Sequence, residues 1–308
     1  MIAYQPIITT LNYQNFKLDV LRLDLIDQEI SGNKWFKLNY NLKKAQSEKA
    51  KTIITFGGAY SNHIAATAAF CKLEGFQSVG VIRGEAAKDL NPTLAKAKAD
   101  GMQLHFVSRE LYNQKSEAHF KQELTQLFGQ HYLIPEGGNN EQGILGCMEI
   151  LKPEWDYDTV VCACGTAATF SGIVAACKKQ QRVIGISVLK GQNTLVNDAL
   201  QQLKLILPTT NFIINGNEEL AKSQITNHCI TNNYCFNGYA KLDRALLKFK
   251  IDFEKKYTIL LDYVYTSKLF YSVFDLLQHN KINLNAKILV IHCGGLQGNK
   301  GFEERYGI

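Results

Sequence analysis

Apolar, β-branched runs that end in or lead to glycine recur along the chain: KTIITFGG (51–58), QSVGVI (77–82), QLHFV (103–107), DTVVCACG (158–165), RVIGISVL (182–189) and AKILVIHCGG (286–295). Between them apolar positions return at helical spacing. Runs of this kind predict buried strands, and the intervening 3.6-residue period predicts helices. Strands that alternate with helices imply parallel sheets covered on both faces. The expected architecture is therefore α/β, with two domains that are each an open, mostly parallel sheet flanked by helices. The stretch IPEGGNNEQG (134–143), where glycine and asparagine cluster and periodicity lapses, predicts a boundary. A smaller α/β unit, 45–140, is expected to be inserted between the two parts, 1–44 and 141–308, of a larger unit.

Composition narrows the function without naming it. A chain of 308 residues with 46% hydrophobic residues can bury a sizeable core. Its net charge of +6 is spread thinly, with no basic block interleaved with aromatics, so nucleic acid is not an expected partner and a small anionic ligand is. The N-terminus lacks a basic start and apolar core, and nowhere do eighteen apolar residues run together; a cytoplasmic protein with no membrane association is expected. The eight cysteines include no C-x-x-C pair and read as reduced core thiols, and no metal is expected. Cys162 and Cys164 occupy alternate positions of one strand and so share a face.

In parallel sheets ligands bind beyond the carboxyl ends of the strands, and three turns there carry candidate chemistry. In TFGGAYSNH (55–63) two glycines precede Ser61, Asn62 and His63 at a helix start. Ser61 or Asn62 would serve there as an N-cap, and the packed polar turn would also offer donors to an anion. In DTVVCACGTAATFSG (158–172) a strand leads into Gly165, Thr166, Ala167, Ala168 and Thr169. Helix-start N–H groups and two hydroxyls suit a phosphate, and a tight packing turn without ligand reads equally well. The spacing matches neither the dinucleotide nor the nucleoside-triphosphate glycine motif. The third turn follows His292, read as a satisfied core histidine, where Gly294 and Gly295 mark a close backbone approach.

SGNKWFKL (31–38) predicts a helix capped by Asn33, with Lys34 in its first turn and Lys37 one turn further on the same side. The helix macrodipole, the adjacent Trp35 and Phe36, and the like charge of Lys37 all favour a neutral Lys34 amine. Alone, Lys34 reads as a surface lysine whose stem covers Trp35. Beside a phosphate-shaped turn and donors for a phenolic oxygen, a nucleophilic lysine describes a pyridoxal-phosphate site.

S-G-N-K-W-x-K-L at 31–38, G-G-x-x-S-N-H at 57–63, the loop at 165–169, G-Y-A-K at 238–241, V-Y-T-S-K at 264–268 and H-C-G-G at 292–295 together resemble the 1-aminocyclopropane-1-carboxylate deaminase and D-cysteine desulfhydrase family. The resemblance implies a two-domain, tryptophan-synthase-β-like fold (fold type II) and pyridoxal 5'-phosphate as cofactor. It implies that Lys34 binds the cofactor aldehyde and serves as acid and base at the α-carbon. Ser61, Tyr239 and Tyr265 are the other catalytic candidates. Lys37 with Gly165, Thr166, Ala167, Ala168 and Thr169 would hold the phosphate, Asn62 the phenolic oxygen, and Thr266 would face the ring nitrogen. Substrate would meet Ser61, Asn62, His63, Tyr265 and Cys293. A small amino acid is the implied partner, and the family inclines toward a homodimer.

Cyclopropane deaminases of this family are expected to carry glutamate after the tyrosine of the V-Y motif and leucine after the histidine of H-x-G-G; this chain has Thr266 and Cys293. A neutral hydroxyl makes a weaker electron sink, which suits β-elimination of a good leaving group. D-cysteine conversion to pyruvate, ammonia and sulfide is thus the expected activity. The cyclopropane deaminase is the alternative, a non-catalytic cofactor- or phosphate-binding protein a further one, and a nucleotide-dependent enzyme a distant one.

Overall fold

A computed structural model of the protein describes residues 4–86, 88–191, 194–222, 224–283 and 285–308. Its strands are β1 (Ile8–Tyr13), β2 (Phe16–Arg22), β3 (Thr52–Gly58), β4 (Gln77–Arg83), β5 (Met102–Val107), β6 (Tyr132–Ile134), β7 (Thr159–Cys164), β8 (Arg182–Ser187), β9 (Ile214–Asn215), β10 (His228–Thr231) and β11 (Ile288–His292). They form a seven-stranded sheet in the order β1-β2-β11-β7-β8-β10-β9 and a four-stranded sheet in the order β5-β4-β3-β6. Every pairing is parallel except β1 with β2.

Burial on both faces explains why these strands read as unbroken apolar runs. Along β7, Val160, Cys162 and Cys164 enter one core, with Phe36 and Leu38 of helix Asn33–Ser47 and Phe170 and Ile173 of helix Ala168–Ala176. The alternate residues Val161 and Ala163 enter the opposite core, with Phe253 of helix Arg244–Tyr257 and Phe270 and Val273 of helix Thr266–Gln278. In the smaller sheet Ile54, Phe56, Val79 and Val81 pack on Tyr112, Phe120 and Leu124. The covalent order of the chain carries it into this sheet at β3 and out at β6.

Two strands lie where neighbouring connections run in opposite directions. β3 pairs with β4 on one side and β6 on the other, and β7 pairs with β11 and β8. Their carboxyl ends open into the Gly58–Asn62 and Gly165–Ala168 turns, the positions where α/β sheets place ligands. The N-terminal hairpin was not visible in the sequence pattern. Its loop is Gln14-Asn15, with Gln14 at φ 52°, rather than the usual glycine-containing pair. Among the described residues no helix is long and apolar enough to cross a membrane.

Candidate active site

Helix Asn33–Ser47 is capped by Gly32, one residue earlier than expected. Gly32 has φ 74°, and a Cβ on it would stand 1.8 Å from the Cys293 carbonyl oxygen. Only glycine permits that approach between the lysine-bearing turn and the exit of β11. Asn33, displaced from the cap, binds sideways: its Nδ2 donates to Thr169 Oγ1 at 2.7 Å and its Oδ1 accepts from Lys34 Nζ at 3.0 Å. The reactive amine and the 165–169 loop are thus joined through one amide.

Burial, and then the like charge of Lys37, lower the Lys34 amine from 10.5 to about 8, against weaker opposing influences of Cys293, Cys147 and Asp262. At pH 7 about a tenth of such an amine is neutral, against about 0.03% of an ordinary lysine. Trp35 and Phe36 serve mainly the core, where both rings meet Tyr4.

Lys37 is 3% exposed, and its ammonium has one hydrogen-bond acceptor among the described residues, the Gly137 carbonyl at 3.1 Å. Burial lowers its pKa. A buried cation without a carboxylate is costly unless an anion joins it. Across from it, Ala167 adopts φ 60° and helix Ala168–Ala176 starts without a side-chain cap, leaving first-turn N–H groups for an anion. Thr166 lines this turn against Gly137: a Cβ on Gly137 would lie 3.4 Å from the Thr166 methyl.

His63 completes the wall from behind. Thr55 donates its hydroxyl proton to the Ile134 carbonyl at 2.9 Å, so the 2.8 Å contact between Thr55 and His63 Nε2 has the ring as donor. Nδ1 then carries a lone pair, and this buried atom has no partner among the described residues. Burial, with Lys34 and Lys37, holds the ring's pKa well below 6.5. His63, expected on the substrate side, stands instead beside Gly138 and Lys37; a Cβ on Gly138 would lie 3.6 Å from its Cε1. An unpaired cation and uncapped N–H groups fit a phosphate ester with its ionised oxygens.

Ser61 caps helix Asn62–Glu74, its Oγ accepting from Ile64 N–H at 3.3 Å. Asn62 Oδ1 accepts from Gln297 Nε2, and Gln297 Oε1 in turn lies 3.4 Å from the Thr93 hydroxyl. The Asn62 amide nitrogen packs on Gly295, where a Cβ would come within 2.8 Å. The glycines after β11 therefore make room for Asn62. Tyr60, Asn62, Tyr239, Asp262, Tyr265 and Arg305 are among the residues lining a cleft beside these turns.

Tyr239 and Tyr265 meet edge to face, ring centres 6.3 Å apart, and Tyr265 lies against Gly165. Burial and each other's proximity raise Tyr265 well above 10; burial and then Asp262 raise Tyr239. Both are neutral phenols that can donate a hydrogen bond. Lys268 secures the Tyr239 loop, donating to the Val188, Cys235 and Gly238 carbonyls at 2.8–2.9 Å.

Thr266 is fully buried, and its hydroxyl donates to Asp262 Oδ1 at 2.8 Å. Asp262 also accepts from the N–H groups of Val264, Tyr265 and Thr266, so one carboxylate orients the whole turn. Cys293 turns its thiol to the Ile291 carbonyl, and burial pushes that thiol up and keeps it neutral. His292 is fully buried, bonded to the Leu260 carbonyl and 3.1 Å from Asp24, a satisfied core histidine. Asn33, Asp262 and Gln297 are site residues that the sequence reading missed. Asp262, ahead of a helix start, bore a capping signal; Gln297 bore none.

A family model described as pyridoxal-phosphate dependent enzyme matches residues 20–294. A Pyrococcus furiosus protein provisionally named as a 1-aminocyclopropane-1-carboxylate deaminase is 33% identical, over 91% of this chain and 84% of its own length. The mitochondrial bifunctional D-cysteine desulfhydrase/1-aminocyclopropane-1-carboxylate deaminase of Arabidopsis thaliana is 28% identical over 92% of this chain and 73% of its own. Among solved structures, an ACC deaminase homologue aligns with a TM-score of 0.81 at 26% identity, covering 99% of this chain and 93% of that one. The chain belongs to the pyridoxal-phosphate-dependent enzymes, in the family of 1-aminocyclopropane-1-carboxylate deaminases and D-cysteine desulfhydrases.

Proposed function

We propose that the protein eliminates the β-substituent of a small D-amino acid, D-cysteine first, giving pyruvate, ammonia and sulfide. The cofactor, when bound, supplies an aldehyde for the lysine and an electron sink for the substrate's α-carbon. Lys37 and the 165–169 loop hold its phosphate, with His63 behind them. Ser61 and Asn62 receive the substrate carboxylate at the start of their helix. Lys34, steadied by Asn33, moves the α-proton. The neutral phenols of Tyr265 and Tyr239 hydrogen-bond the departing sulfur.

Thr266 carries the choice of leaving group. A neutral hydroxyl, with its proton directed to Asp262, stands where the cyclopropane deaminases are expected to carry glutamate. Without that carboxylate a protonated ring nitrogen gains little stabilisation, and a thiolate departs more readily than a strained carbon–carbon bond opens. The names of the relatives favour the deaminase as a second reading. Purified holoenzyme is to be assayed with D-cysteine, L-cysteine, D-serine, β-chloro-D-alanine and 1-aminocyclopropane-1-carboxylate. Pyruvate and sulfide from D-cysteine are expected. Ammonia and 2-oxobutyrate from the cyclopropane acid, with no product from D-cysteine, reverse the order.

A further inference from the structure

A group of charges at the carboxyl end of the smaller sheet stands beside the Gly58 turn, whose Tyr60 and Asn62 line the cleft, and has no part in the reaction above. Arg83 ends β4, and its Nη2 lies 3.4 Å from where a Cβ on Gly58 would stand, so the guanidinium edges the turn that leads to Ser61 and Asn62. Its Cζ is 5.6 Å from the ring centre of Tyr112, and Lys115 Nζ is 4.7 Å from the same ring. Tyr112 is 1% exposed and therefore a rigid platform for both cations. Glu136 is 3.4 Å from Lys115. Among the described residues Arg83 has no carboxylate within ion-pair distance.

Two cations thus face one carboxylate. The group also looks toward the tyrosines: the charges of Arg83 and Glu136 both act on the Tyr239 hydroxyl. Glu136 directly precedes Gly137, which touches Thr166 of the phosphate loop. These charges form a rim between the Gly58 turn, which leads to Ser61 and Asn62, and the Thr166 turn of the phosphate loop.

We propose that the rim is a subsite for a second negative charge carried by the substrate's β-substituent, with Arg83 as its ligand. A guanidinium pairs with an oxyanion through two parallel N–H donors, a geometry that lysine lacks. The inference rests on the β-elimination reading. In that reaction the Cα–H bond breaks and its electron pair becomes the Cα–Cβ double bond. The Cβ–heteroatom bond breaks and its pair leaves with the substituent, here phosphate or thiosulfate. Water converts the released enamine to pyruvate and ammonium.

O-phospho-serine and S-sulfo-cysteine are the anionic probes, and D-serine, D-cysteine and β-chloro-D-alanine the neutral ones, with both enantiomers of each anionic probe. In Arg83→Gln holoenzyme the ratio of kcat/KM on anionic over neutral probes is expected to fall at least tenfold, mainly through KM. Arg83→Lys, which keeps the charge without the fork, is expected to recover part of it. Calorimetric titration of cofactor-loaded Lys34→Met protein, which lacks the group that moves the α-proton, with O-phospho-D-serine and D-serine reads the subsite without turnover. Tighter binding of the phosphorylated probe by at least tenfold, lost in Arg83→Gln, supports the subsite. Equal affinities in the parent, or a gap that survives Arg83→Gln, overturn it. An intact gap with no product from any probe overturns the elimination reading alone.

Discussion

Lys34 costs the fold stability that its chemistry requires, and the cost has a definite pH signature. Its amine titrates at 10.5 in an unfolded chain and at about 8 in the folded one, because burial and Lys37 disfavour the charged form. Below pH 8 both states hold the proton, and the penalty is constant. Between pH 8 and 10.5 the unfolded chain binds more protons than the folded one, so stability rises with pH. Above 10.5 the penalty is gone. At about 1.36 kcal/mol per pH unit the full penalty is ~3 kcal/mol.

Lys34→Met keeps the stem and removes the charge. The cofactor-free variant should be more stable than the cofactor-free parent by ~3 kcal/mol at pH 7, with the difference shrinking to near zero by pH 10.5. Urea unfolding at pH 7, 9 and 10.5, with slopes held common, measures it. Lysines other than Lys37, whose charge is coupled to that of Lys34, cancel in the difference between the two proteins. A difference that is flat across this range, or that grows with pH, refutes the buried-amine argument. Hydride reduction of the reconstituted parent should leave a covalent adduct on the Lys34 peptide and none on the variant.

Lys37→Met is expected to weaken cofactor retention at least tenfold, since a charge-assisted hydrogen bond contributes about 1.5–3 kcal/mol; equilibrium dialysis measures this, and unchanged retention would place the phosphate elsewhere. The same variant should not lose stability without cofactor, because burial disfavours its charged form. Gly32→Ala meets two penalties, about 1–3 kcal/mol for a backbone at φ 74° and ψ −156° that is essentially reserved for glycine and a Cβ 1.8 Å from the Cys293 carbonyl. A loss of about 4 kcal/mol or more is expected, with bound cofactor lost in parallel; a parental Tm with full occupancy would contradict the packing described.

What could be read along the chain was local. β3, β4, β5, β7, β8 and β11 appear within a few residues of their apolar runs, because strands buried on both faces leave an unbroken signature. Lys34, Ser61, Asn62 and the Gly165–Thr169 loop stood out because each sits at a helix start, where backbone donors and small residues mark themselves in a few positions. β6, β9 and β10 are two to four residues long and carry no comparable pattern.

The nearest neighbours of those residues were beyond a linear reading. Asn33 looked like a cap until the Cys293 carbonyl demanded glycine beside it, and it then became the link between Lys34 and Thr169. His63 looked like a substrate contact, but one ring nitrogen is taken by Thr55 and the ring stands beside Gly138 and Lys37. Propensity, capping and periodicity are properties of adjacent residues, so the order of amino acids settles where strands end and which side chains stand there. Enclosure and the partnerships of Asn33 with Thr169 and of Asn62 with Gln297 arise between residues more than a hundred positions apart, and these came into being when the two sheets packed.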